Sequence, residues 1–502
     1  MVRDVNEAVT KAPPQNTSEW TIDAAGRLSR DLKGTELVVR STELVNNGNF
    51  QLDLLAGFDT PLTTKELRIR QEAAWWLTRE RFPVVGITLG VSKAFFEPIV
   101  TIDAAQRWVT QTCLNEDNTT GEAMLLAQCR HTSDTTRLSI VLEPIRGSRA
   151  CVLNNSHTVI DHVGYDIVYV FLSYLANDRC KNGLKDVFVP EDAAQLVRRL
   201  PQSLSKAYYS QIAAPTEAER QEATSIQRKA QDRWNLNSIG IPIHTEYQTR
   251  QSRMHNKQIS FEEVNFRAAL ALAKKEGVSL TSLFFAAMTA GIHQRYSNGG
   301  EDGAHLVFSG NARRWVKTQG ETGEPPVALS IIPGAMWLDR ACLDSELDSQ
   351  AGLLALAKKI DAAQRVDLAS AHIIGVYDEL APAVAKATLE GQSQPAVFPP
   401  YCRPTLTSQG DLSARDTSLS TGCDTGRSPM RLTRWTSGGR NTDSTVCFAL
   451  YSFKKELLCG LLFDERFFDE DEMMQLLYIV AGRFRRMVGN AGQQNSTSCA
   501  SL

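Results

Sequence analysis

The chain has 502 residues, 42% hydrophobic and 22% charged, the mixture of a folded globular protein rather than a disordered or fibrous one, and too long for one hydrophobic core, which implies two domains or two lobes with a site between them. Its formal net charge of −3, from 54 basic and 57 acidic residues, with no long run of one sign, argues against a nucleic-acid partner. The longest apolar run, "IVYVFLSYLA" from Ile167 to Ala176, falls far short of the roughly 20 residues that span a bilayer, so no membrane span is expected.

The N-terminal stretch "MVRDVNEAVTKAPPQNTSEW" has no apolar signal-peptide core. The sequons at Asn16, Asn118 and Asn495 then read as incidental. Ten cysteines are scattered without CxxC pairs or close histidine ligands. That pattern fits free or buried thiols in a reducing compartment, not zinc or a disulfide framework. The expectation is a cytoplasmic monomer without a metal site.

After the polar arm, "TTKELRIRQEAAWWLTRERFP" opens on a threonine cap and sets Leu67, Ala74, Trp75 and Leu77 at helical spacing until Pro83 stops it. "VVGITLG" reads as a buried strand. "TRLSIVLEPIRGSRACVLNNSH" reads as a strand, a turn at Arg146-Gly147-Ser148, and a second strand running into His157. "YDIVYVFLSYLAND" has the length and period of a helix. From Pro201 to about Pro242 the chain is polar, with little strand signal, as a crossover between lobes would be. Two amphipathic helices joined at Gly277 follow, ending at Asn298-Gly299-Gly300, then a strand, "HLVFSGNARRW". The stretch from Gly410 to Ser444 is polar with several turn signals. Two strands and a helix, acidic at its start and basic at its end, close the fold.

"NNSHTVIDHVGYD" places His157 four residues before Asp161 and His162 four before Asp166. With eight histidines in the chain, one such pair arises by accident in about half of comparable sequences, so the spacing alone carries little. Position separates the two pairs. His157 ends an apolar strand and Asp161 lies on the connection to the next helix, where rigid elements commonly present catalytic groups. Asp166 lies within the helix and reads as a solvated or capping carboxylate.

This strand, His157, Asp161, Gly164 and the apolar helix resemble the HxxxD (BAHD and condensation-domain-like) acyltransferase superfamily, which includes plant and fungal CoA-dependent acyltransferases and the condensation domains of peptide synthetases. Further resemblances follow in order: "LRIRQEAAWWLTRERFP", "VSLTSLFFAAMTAGIHQRYS", "FSGNARRW", "RPTLTSQGDL" and "FDERFFDEDEMMQLL". They span roughly residues 65 to 490. The nearest branch is the fungal one typified by trichothecene 15-O-acetyltransferase, which acylates terpenoid alcohols. There are departures: Ser156 stands where condensation domains have a first histidine, His162 where the family has glycine, and "SQGDL" where plant members have DFGWG.

The resemblance implies a mixed α/β (α+β) fold of two chloramphenicol-acetyltransferase-like lobes, each a mixed sheet with flanking helices, around an active-site channel. The lobes would be residues 1–200 and 243–490, with a crossover at 201–242, a segment near 400–440 facing or packing on the first lobe, and a disordered tail at 491–502. That tail ends in Cys499-Ala500-Ser501-Leu502, which formally fits a prenylation box, although Ser501 is not aliphatic and no polybasic segment precedes it. The implied activity is CoA-dependent O-acyl transfer, with acetyl-CoA as co-substrate, no tightly bound cofactor, and a small-molecule alcohol as acceptor. An alcohol is a poor nucleophile near neutral pH, and an imidazole is suited to taking its proton as it attacks. His157 would be that base. Asp161 would turn away and pair with Arg313, or else Arg314, to fix the loop. Ser408, Gln409 or a backbone N–H near Gly410 would face the oxyanion, and His162, Gly164 and Gly410 would border the substrates. Two other readings stay open. Because His162 replaces glycine, the same base could initiate a cyclisation or isomerisation without acyl-CoA, or the chain could bind without catalysing.

Overall fold

A computed structural model describes residues 18–128, 132–142, 149–234, 236–247, 249–316, 326–344, 346–391, 400–413 and 430–489. The turn at Arg146-Gly147-Ser148, the sequons at Asn16 and Asn495, most of the N-terminal arm and the tail with Cys499 lie outside these residues.

The first lobe is built on a five-stranded sheet in the order Arg431–Gly439, Gln51–Asp59, Arg149–Ser156, Arg137–Leu142, Cys113–Asp117, antiparallel except for the last pair. Thr64–Arg81 is the expected helix. Its cap is Thr63, whose hydroxyl accepts from the Glu66 N–H while the Glu66 carboxylate accepts from the Thr63 N–H. The helix buries Leu67 and, all round it, the stretch from Ala73 to Arg79, with Trp75 and Trp76 in the core. Trp75 stacks on Trp108 at 5.9 Å and donates its indole N–H to Thr112 at 2.9 Å. After that helix the sequence expectation is only partly met. Pro83–Gly86 is a short 3-10 turn, and the strand is confined to Ile87–Leu89, because proline at the turn's first position favours the turn over an extended ladder.

The second lobe has a seven-stranded mixed sheet. Its main order is Met254–Phe261, Glu456–Asp464, Cys447–Phe453, Thr405–Asp411, Gly303–Asn311, Ile331–Asp339, with Ser238–Ile239 also beside Gly303–Asn311. Helices Glu263–Glu276 and Leu280–Tyr296 meet at Gly277 as expected, and Leu280–Tyr296 packs on the final helix Glu470–Val488. Each lobe has its own apolar core. The polar crossover contains two helices, Leu204–Gln211 and Glu217–Trp234; the longer one buries only Ala223, which is why it reads as featureless polar chain.

The largest departure lies in the stretch read as polar turns. Arg431–Gly439 leaves the second lobe and pairs antiparallel with Gln51–Asp59, as an edge strand of the first lobe's sheet. Leu432 and Trp435 join the first lobe's core. The lobes therefore share a strand. Among the described residues no helix is long and apolar enough to cross a membrane.

Candidate active site

The strand Arg149–Ser156 ends directly at His157, and the helix Val163–Ala176 begins six residues later, so the loop between is fixed at both ends. Gly164 lets the helix approach the sheet. A Cβ there would lie 2.8 Å from Leu54 Cδ1 and 3.3 Å from Ile160 Cγ2. Gly164 is buried against the strand Gln51–Asp59, where it has a packing role. Gly164→Ala is expected to lower stability by about 1–3 kcal/mol through overpacking. Chemical denaturation would check this, and an unchanged midpoint would contradict it.

His157 is half-buried. Its Nδ1 lies 2.8 Å from the Ile160 carbonyl oxygen, which can only accept, so Nδ1 carries the proton and donates it. Nε2 is then the lone-pair nitrogen, a base with a fixed tautomer. Burial pushes the imidazole below the ordinary histidine value, and the Ile160 carbonyl and the Asp161 charge offset part of that shift. The neutral, proton-accepting form is favoured at neutral pH.

Asp161 does not touch the ring's nitrogens. It is 2% exposed and receives a bidentate pair from Arg313, 2.8 Å at each oxygen, together with the N–H groups of Ser330 at 2.9 Å and Val163 at 3.2 Å. Burial alone would raise its pKa; Arg313 and these donors outweigh burial and hold it below the usual carboxylate range. Arg313 follows the second-lobe strand Gly303–Asn311, so the pair bolts the loop across the lobes. Arg314 is exposed and lies over the Trp315 ring at 4.2 Å.

Ser408, Gln409 and Gly410 lie not in a turn but on the central strand Thr405–Asp411, at a bulge where pairing with Cys447–Phe453 skips Gln409. Gly410 supplies the positive φ, +75°, that the bulge requires. The bulge re-aims Gln409: its amide oxygen accepts from the Tyr165 hydroxyl at 2.5 Å and its amide nitrogen donates to Ser437 Oγ at 3.0 Å. Gln409 is thereby engaged in an interlobe brace. Ser408 is exposed and accepts from Thr281 Oγ1 at 3.0 Å, which leaves its own hydroxyl proton to donate elsewhere.

His162 is exposed and lines a cavity of about 250 Å³ with Arg81, Val159, Asp166, Arg313 and Val327. His157 is not among that cavity's lining residues. No group of three or more His, Cys, Asp or Glu able to hold a metal occurs among the described residues.

Sequence reasoning missed two contributors. Tyr165 was absorbed into the apolar period of its helix, yet its hydroxyl reaches the second lobe. Glu43, on Thr35–Val45, is buried at 3% exposure beneath the strand that ends at His157. Polar residues at helical spacing give no sign that a carboxylate is buried, because its partners lie far along the chain.

No protein-family model matches the chain. The chain is 25% identical to the acyl-CoA-dependent acyltransferase MAC2 of Pseudozyma antarctica, over 92% of this chain and 95% of that protein. Its structure matches TRI3 trichothecene 15-O-acetyltransferase from Fusarium sporotrichioides with a TM-score of 0.79 at 12% identity, over 93% of this chain and 97% of that one. The fold is the two-lobed one these proteins share. The first condensation domain of the calcium-dependent antibiotic synthetase matches at a TM-score of 0.60 and 13% identity, over 92% of this chain and 97% of that one. The two-lobed mixed α/β architecture expected from sequence is thus the observed fold.

Proposed function

We propose that the chain is an acyl-CoA-dependent O-acyltransferase in which His157 removes the proton of an alcohol acceptor. The observation that carries this reading is the state of the imidazole: Nδ1–H is committed to the Ile160 carbonyl, and Nε2 is left as the acceptor. As the alcohol oxygen attacks the thioester carbonyl, its proton passes to Nε2. When the tetrahedral intermediate collapses, the same proton passes to the departing CoA thiolate. One ring serves both steps, and no covalent enzyme intermediate is needed. Asp161, held by Arg313, keeps the loop in register, and the role proposed for the Ser408 hydroxyl is donation toward the oxyanion. The similarity to an acyl-CoA-dependent acyltransferase supports acyl-CoA as donor, and the match to a trichothecene acetyltransferase supports a terpenoid-like secondary metabolite as acceptor.

The test is incubation with acetyl-CoA and a panel of terpenoid alcohols, detecting free thiol. Thiol release that depends on the acceptor, with a product heavier by one acetyl group, is the expected result. Conversion of a candidate substrate with no acyl-CoA present would instead favour a cyclase or isomerase.

A further inference from the structure

We infer that Glu43, on the helix Thr35–Val45, is a positioning residue for His157, clamping the residues on either side of it; this rests on the reading of His157 as the base. Ser156, the last residue of its strand, and Thr158, in the turn that follows, both reach Glu43 on Thr35–Val45. Ser156 Oγ lies 2.6 Å and 2.7 Å from the two Glu43 carboxylate oxygens, and Thr158 Oγ1 lies 3.2 Å from one of them. The Thr158 N–H donates to Ser156 Oγ at 3.1 Å, closing a ring of contacts around the histidine's backbone. All three side chains are buried, Glu43 and Ser156 at 3% exposure and Thr158 at 0%.

The clamp is anchored in turn. Arg40, one helical turn back, donates to Glu43 at 3.2 Å, to Asp134 at 2.7 Å and to the Gly90 carbonyl at 2.9 Å. The chain runs from a surface carboxylate through a buried arginine and a buried glutamate to both flanks of the base. Ser156 occupies the position that condensation domains fill with a histidine, and here that position serves as an attachment point. Asp161 and Arg313 fix the loop from beyond the histidine; Glu43 fixes it from before. A carboxylate can accept from both hydroxyls at once, whereas a carboxamide offers one acceptor oxygen and a donor where an acceptor is needed.

Glu43→Gln is the test. Its comparator is Glu36→Gln, on the same helix, where Glu36 forms an equally buried bidentate pair with Arg30 at 2.7 Å and 2.8 Å but touches nothing in the loop. The primary readout is the nitrogen spectrum of labelled histidine, with the His157 signal assigned by its loss in His157→Ala. Wild type and Glu36→Gln should show a single Nδ1-protonated tautomer, and Glu43→Gln a mixture. The second readout is thiol release from acetyl-CoA. Glu43→Gln should lower kcat about 10- to 100-fold, the scale of an ångström-level misplacement, with KM for acetyl-CoA changed by less than about threefold. If Glu43→Gln does not fold, the double variant Ser156→Ala, Thr158→Val removes the tethers while keeping the Glu43–Arg40 pair, and should behave the same way. An unchanged His157 signal in the variant, or equal loss of kcat in Glu43→Gln and Glu36→Gln, would overturn the proposal. Absence of acetyl-CoA turnover in the wild type would refute the acyltransferase reading alone, since the spectrum still decides whether Glu43 holds the ring.

Discussion

His157→Ala is expected to lower kcat for acceptor-dependent thiol release by about 10²- to 10⁴-fold while leaving the fold intact, because it removes the group proposed to carry the proton from acceptor to thiolate. Its ring is half-buried and bonded only locally, through Nδ1 to Ile160, so truncation leaves no distant partner orphaned. The pH profile of the wild type carries a sharper form of the same expectation. The base works in its neutral form, and burial lowers the imidazole below the ordinary histidine value. Full kcat/KM should therefore persist on acidification past the point where a free imidazole is half protonated, and fall only at lower pH. A profile that breaks at or above the ordinary histidine value, or turnover that survives His157→Ala, would remove the imidazole from the reaction. Undiminished metabolite output from a strain carrying only His157→Ala would favour a binding protein.

Arg313→Ala should be the most damaging single change to stability near the site. It strips two charge-assisted hydrogen bonds from a carboxylate that is 2% exposed, and breaking a buried pair in this way costs about 3–5 kcal/mol. The sign of the pH dependence follows from Asp161. In the wild type its folded pKa is depressed, so its stabilising contribution is complete at neutral pH and is lost as pH falls through that depressed value. Without Arg313, burial is opposed only by the Ser330 and Val163 N–H groups, and protonation becomes the easier way to keep Asp161 inside. The deficit relative to wild type should shrink on acidification. Denaturant midpoints at neutral and mildly acid pH would show this, and a deficit that widened toward acid would contradict the account.

The local patterns were the legible ones. Thr63, Glu66 and the period of Leu67, Ala74 and Leu77 define their helix without reference to anything distant. The strand, loop and helix around His157 follow from an apolar run, a polar break and a second apolar period. What escaped depends on pairing across the chain. Arg431–Gly439 carries Arg431, Arg434 and two terminal glycines, with a register shift between Leu432 and Arg434, so neither composition nor alternation marks it as a strand. The bulge that re-aims Gln409 is visible only once the neighbouring strand is known. Glu36, Arg40 and Glu43 look like the wet face of an amphipathic helix, and each is buried because a partner of matching chemistry meets it.

The borrowed edge strand also bears on how the polypeptide matures. Arg431 sits against Asp59, 372 positions earlier. On the ribosome the first half must wait, its outer ladder of amides and carbonyls unsatisfied, until most of the remaining chain has been made. Such a half-finished rim is a template for association with other chains. Expression of the amino-terminal half alone should accordingly give aggregate, and co-expression with the remainder should recover material in solution.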